Sequence, residues 1–77
     1  MYKLSDLKIG QTCKVTSVSA VDDLLCRFID IGIIEGTVIE CVAISPQGDP
    51  KAYLIRGAII ALRKIDAELI KVGDICA

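Results

Sequence analysis

The sequence predicts a small, mainly β fold: a highly bent β-barrel of about five short strands, with one α-helix between the first and second strands. Three observations carry this expectation. The stretch beginning at Asp22 has clean helical spacing and stops at Gly32. The rest of the chain breaks into short runs rich in Val, Ile, Leu and Thr, separated by turn residues. Of the 77 residues, 53% are hydrophobic, so open strand edges would be hazardous and a closed sheet is expected.

The helix organises the chain. On its wheel Leu24, Leu25, Phe28, Ile29 and Ile31 share one face, while Asp23, Cys26, Arg27 and Asp30 share the opposite one. Ser19, Asp22 or Asp23 can serve as its N-cap. Gly32 suits the left-handed position that ends helices. Ile33 and Ile34 are expected to return to the core, Glu35-Gly36 to turn, and a β-branched run to begin at Thr37.

Before the helix, Leu4-Ser5-Asp6-Leu7 reads as a short capped turn anchored by its two leucines, and Lys8-Ile9-Gly10 turns the chain. Gln11 to Val18 forms the first strand, with Cys13 and Val15 alternating against Thr12, Lys14 and Thr16. Ser17 to Val21 leads into the helix as a loop. After the helix, Thr37 to Ser45 forms the second strand. Its alternation breaks near Cys41-Val42, which a bulge in a strongly bent strand explains better than burial on both sides. Ser45 to Pro50 is a connector whose prolines block edge pairing. Lys51 to Arg56 and Ile59 to Arg63 form a tight hairpin about Gly57. Lys64 to Ala67 is long enough for one helical turn. Glu68 to Val72 makes a fifth strand, with Leu69 and either Val72 or Ile70 inward, and Gly73 to Ala77 is a tail.

Composition narrows the function. The length sets one domain over 1–77. A net charge of −1 and scattered basic residues argue against nucleic acid and against an anionic membrane surface. The longest wholly apolar run, Ala58 to Leu62, is far short of a membrane span. The early charges at Lys3, Asp6 and Lys8 do not suit a signal peptide, so a cytoplasmic location is expected. Histidine is absent and the four cysteines show no C-x-x-C spacing, so mostly buried, reduced thiols are expected rather than metal ligands or disulfides. No nucleophile–base pairing and no phosphate-binding glycine loop is apparent, so no catalytic, cofactor or metal site is assigned and the chain is read as a non-enzyme.

Two segments carry a resemblance. Arg27-Phe28-Ile29-Asp30-Ile31-Gly32-Ile33-Ile34-Glu35-Gly36-Thr37 resembles the R-[apolar]-[apolar]-D-[LI]-G-[LI]-x-x-G-T signature of the ferrous iron transport protein A family, FeoA. Pro46 to Pro50, then Ile55-Arg56-Gly57 and Ala61-Leu62-Arg63, are similar to the family's P-x-G-D-P, V-R-G and A-L-R pattern. Leu4 to Gly10 matches its L-x-x-L-x-x-G opening. The resemblance covers about the whole chain. It implies an SH3-like barrel and a small cytoplasmic accessory to a bacterial ferrous iron transporter, acting on the cytoplasmic G-protein-like domain of the membrane subunit. The same domain is fused to some iron-dependent repressors, which gives a metal-responsive regulatory module as the alternative. A barrel that binds RNA or the ribosome fits the acidic composition least.

Two surfaces are candidates for partner binding. One is the outward helix row Asp23, Cys26, Arg27 and Asp30, where exposed ion pairs are the plain expectation and Cys26 the only thiol on a polar face. The other is Leu54 and Ile59, where resembling proteins often carry charges. If Tyr53, Ile55, Ile60 and Leu62 point inward, Leu54 and Ile59 form an exposed apolar patch suited to a partner or a second copy. A strand phase one residue off, or cover by the N-terminal turn, would remove that patch.

Overall fold

The structure, a computed structural model, describes residues 2–76. Its elements run β1 (Tyr2–Lys3), a 3-10 turn (Leu4–Asp6), β2 (Thr12–Val18), α1 (Asp22–Ile31), β3 (Val38–Ile44), β4 (Lys51–Ile55), β5 (Ala58–Leu62), α2 (Lys64–Ala67) and β6 (Ile70–Cys76). All pairings are antiparallel, in one sheet ordered β1-β6-β2-β3-β4-β5. The sheet therefore has six strands, one more than expected, because Tyr2 and Lys3 pair with Val72 and Lys71. The segment expected as a tail continues β6: Gly73 and Cys76 pair with Lys14 and Thr12. Ala77 lies outside the described residues.

The sheet bends into a barrel that is not closed by a ladder, contrary to the expectation of full closure. β1 and β5 are its two edges. Side chains from β4 reach across to the 3-10 turn instead. The Tyr53 hydroxyl donates to Leu4 O at 3.4 Å, and Lys51 Nζ donates to Ser5 O at 2.7 Å and Leu7 O at 2.8 Å. Lys3 N–H donates to the Asp6 carboxylate at 2.9 Å, which caps the turn and leaves Leu4 and Leu7 fully buried. The core continues through Cys13, Val15, Ile39, Cys41, Ile55, Ile70 and Val72. The last two settle the inward pair of β6; Leu69, just before that strand, is only half-buried. The bulge expected on β3 is present, as a register shift between Cys41 and Ala43. It lets Cys41 face the core while Ala43 faces solvent.

Helix α1 packs on this core through Leu24, Leu25, Phe28 and Ile31, with Phe28 fully buried. Ile29 is not part of that face and is 51% exposed. At ~100° per residue Leu24, Phe28 and Ile31 fall within about 60° of one another, while Ile29 lies roughly 100° beyond Phe28. The three expected N-cap candidates are not used. Val21 occupies the cap and no side chain bonds to it, so Asp22 and Asp23 act through the helix dipole alone.

Candidate functional site

The helix-to-strand elbow is built by backbone geometry. Gly32 has φ 103°, in the left-handed region. There the amides of Gly32 and Ile33 reach back to Phe28 O at 3.1 and 2.8 Å. The Thr37 hydroxyl donates to Gly32 O at 2.7 Å, tying the start of β3 to the end of α1. Gly36 N–H donates to Val15 O and Val15 N–H to Thr37 O, at 2.8 and 2.9 Å, which docks the elbow on β2. A Cβ on Gly32 would sit 2.2 Å from Arg56 Cδ, so the arginine stem of the β4–β5 hairpin lies directly over this glycine. Ile33 is buried but Ile34 is 43% exposed, which corrects its expected place in the core. The turn at Glu35-Gly36 leaves room for only one of the two isoleucines to face inward.

The outward row of α1 is present as expected: Asp23, Cys26, Arg27 and Asp30 are all exposed. The ion pairs expected along it are not formed. The salt bridge among the described residues is Arg63–Asp66, at 3.2 Å. The row is thus four unconnected groups on a solvated face.

The patch at Leu54 and Ile59 has the strand phase that the sequence implied. Tyr53, Ile55 and Leu62 are buried, Ile60 is half-buried rather than fully inward, and Ile59 is 69% exposed. Leu54 is half-buried and pairs directly with Ile59 on one side and Glu40 on the other. The neighbouring row is Ala43, Ala52 and Ala61. Val38, two residues from Glu40 on the same face, is 59% exposed. Val38 and Ile34 line a shallow depression with Arg56, Thr37 and Gly36. The outer face of β3, β4 and β5 is therefore largely apolar from the elbow to the sheet edge, with Glu35, Glu40 and Arg56 as its charges. Sequence reasoning missed Val38 and Ile34 here. The alternation Val38-Ile39, with Ile39 inward, was the available signal for the first.

A more enclosed pocket of about 250 Å³ lies between the 3-10 turn and the 45–50 loop, lined by Ser5, Asp49, Lys51, Tyr53, Leu62 and Lys64. Its polar groups serve the fold. Lys51 and Tyr53 hold the turn, and the Asp49 carboxylate accepts the Lys64 amide at 2.8 Å, capping α2 from 15 residues away. Burial pushes the Cys13 thiol up to about 11, and Cys41 and Tyr53 are raised for the same principal reason. Cys13 and Cys41 are buried, Cys26 and Cys76 exposed. Among the described residues no group of three or more His, Cys, Asp or Glu is placed to hold a metal ion, and no helix is long and apolar enough to cross a membrane.

The order and spacing of these features match a known domain: the FeoA domain model covers residues 2–73. The chain belongs to the FeoA family. The solution structure of iron(II) transport protein A from Clostridium thermocellum is similar over 92% of this chain and 44% of that one, with 34% identity and a TM-score of 0.88. This chain thus spans less than half the length of that relative. The zinc-complexed FeoA of Stenotrophomonas maltophilia, described as a prokaryotic SH3 domain protein, is 27% identical, with a TM-score of 0.84 over 95% of this chain and 91% of that one. A manganese-dependent transcriptional repressor, in complex with manganese, is 26% identical, with a TM-score of 0.82 over 94% of this chain and 35% of that one. No curated protein matches the chain. The fold is an SH3-like barrel, and the family is one of ferrous iron transport proteins.

Proposed function

We propose that this FeoA domain is a cytoplasmic accessory of bacterial ferrous iron uptake, a protein-interaction module acting on the G-protein-like domain of the transporter's membrane subunit. Family membership supports the iron-transport context. The observation that carries the interaction is the apolar outer face centred on the Leu54–Ile59 pair, with Ile59 69% exposed. A surface of that kind is expensive for a small domain unless something covers it. The α1 row Asp23, Cys26, Arg27 and Asp30 is the competing surface, because its charges are free to steer a partner.

Binding of the purified transporter domain, measured in each nucleotide state, tests this. Leu54→Glu with Ile59→Glu is expected to leave the barrel folded and abolish binding, while Arg27→Glu retains it. The reverse pattern would move the dock to α1. No binding by the unmodified chain in any nucleotide state would sink the proposal. A metal-responsive regulatory role is the second reading, favoured by the likeness to the manganese-dependent repressor. Stoichiometric, tight Fe²⁺ binding by calorimetry under reducing conditions would favour it.

A further inference from the structure

We propose that the free edge of β5 is a docking strand for an extended apolar segment of another protein whose flanks are acidic, rather than an interface between copies of this chain. The inference rests on the partner-binding reading above and names how the partner is held.

Among the described residues β5 pairs only with β4, through the ladder Lys51↔Leu62 to Ile55↔Ala58, which has no register shift. The turn between them is Arg56-Gly57, with φ 50° and 85°. Two positive φ values mark a two-residue turn whose closing pair, Ile55↔Ala58, exchanges both hydrogen bonds. Alternation then directs the N–H and C=O of Ile60 and Leu62 toward β4, and those of Ile59 and Ala61 away from it. Among the described residues no backbone bond meets that outward edge.

Soluble proteins blunt such edges with lysine, proline, a bulge or brevity. β1, the other edge, is two residues long and carries Lys3. β5 is Ala-Ile-Ile-Ala-Leu and has none of these devices beyond its modest length. Ile59 stands exposed on one side of it and Ile60 half-exposed on the other, so an incoming strand would meet apolar side chains on both faces.

Charge decides the occupant. Arg56 stands in the turn at one end of β5, its stem laid over Gly32, and Arg63-Lys64 follow the other end. Arg63 is met by Asp66 and the Asp49 carboxylate accepts the Lys64 amide, but the Arg56 guanidinium and the Lys64 ammonium form no ion pair among the described residues. Full antiparallel pairing of two copies about Ile60 would set Arg56 of each against Lys64 of the other. Like charges would face each other at both ends. An apolar segment with acidic residues at both ends has the same backbone fit and the opposite electrostatics.

The test uses a capped peptide of alternating Val and Thr with two Glu at each end, and the same peptide with Lys replacing Glu. NMR is expected to show the Glu peptide shifting Ile59 and Ala61 amides and slowing their exchange. Its affinity should exceed that of the Lys peptide by about ten-fold at low salt, with the ratio falling as salt rises. Ala61→Pro removes one outward donor without breaking the β4 ladder and should abolish binding. Ile59→Lys, which keeps every backbone group, should weaken it and guards against misfolding of the proline variant. A concentration-dependent dimer of the unmodified chain, lost in Ala61→Pro, would overturn the choice of occupant. Shifts confined to α1, or no shifts with either peptide, would overturn the edge itself. Capture of the transporter domain by Ala61→Pro at full strength would also overturn it, while leaving the partner-binding reading intact.

Discussion

Replacing Lys51 by Met would remove the fastening that stands in for a closing strand. The Lys51 ammonium donates to Ser5 O and Leu7 O at 2.7 and 2.8 Å, and the residue is half-buried. Met keeps most of the aliphatic stem, so no cavity opens. Charged hydrogen bonds contribute ~1.5–3 kcal/mol each. Half-exposure lets water replace part of this, so a loss of about 2 kcal/mol is expected for the pair. Set against the roughly 3–5 kcal/mol that a core of this size supplies, that is a large fraction, equivalent to ~10 °C or more in Tm. Urea titration followed by circular dichroism measures it. The midpoint should fall with the slope unchanged, because the surface exposed on unfolding is the same. Hydrogen exchange adds a local signature. The Leu7 amide, bonded to Leu4 O at 3.1 Å, should lose protection before the β3–β4 ladder does. A midpoint shift worth less than about 0.5 kcal/mol, or uniform loss of protection, would refute the assignment of Lys51 as the tie between turn and sheet.

Other expectations follow from single contacts. Gly32→Ala places a side chain at φ 103° and 2.2 Å from Arg56 Cδ, so stability should fall by roughly 1–2 kcal/mol, read by denaturation, with Arg56 displaced. Asp49→Ala leaves the Lys64 amide without its 2.8 Å acceptor and should cost ~1 kcal/mol, most of it recovered in Asp49→Asn. Cys13, whose thiol is raised from 9.0 to about 11, contributes to the alkaline limit together with Cys41 and Tyr53, which burial also raises. The unfolded chain loses that proton first, so stability is intact below pH 9.0 and declines as pH rises toward about 11, which Cys13→Ser or Cys13→Ala should flatten. Iodoacetamide at neutral pH should modify Cys26 and Cys76 in the native chain, with Cys13 and Cys41 reacting only in denaturant; mass spectrometry counts the adducts.

Sequence periodicity was informative where one face of an element meets the core. Gly32, the Cys41 bulge and the hairpin at Gly57 were all legible, because each is a local break in a local pattern. Contacts between distant segments were not legible. Nothing in Pro46 to Pro50 announces that Asp49 caps a helix 15 residues on, and nothing in Lys51 announces that its ammonium reaches the N-terminal turn. Gly73 and Asp74 look like loop residues and so predict a tail, whereas pairing of Gly73 and Cys76 with β2 overrides local propensity. Ile29 and Ile34 are exposed against expectation because hydrophobicity alone does not say how wide a stripe the core can accept.

The same limit applies to the functional surface. Leu54 and Ile59 were found by strand phase, a local property, but their meaning depends on β5 being an edge, a global one. Closure of the barrel, expected because the chain is apolar, would leave the patch as side chains alone, with the backbone of β5 fully paired. The open sheet instead joins the Ile59 side chain to the unpaired backbone of the same strand. That junction sits beside Arg56, whose stem covers Gly32 at the end of α1. A partner strand seated on β5 would therefore press on the hairpin that holds the elbow. Gly32→Ala, by moving Arg56, is expected to weaken binding of the acidic peptide as well as stability. Peptide affinity unchanged in a folded Gly32→Ala variant would show that the elbow and the edge act independently.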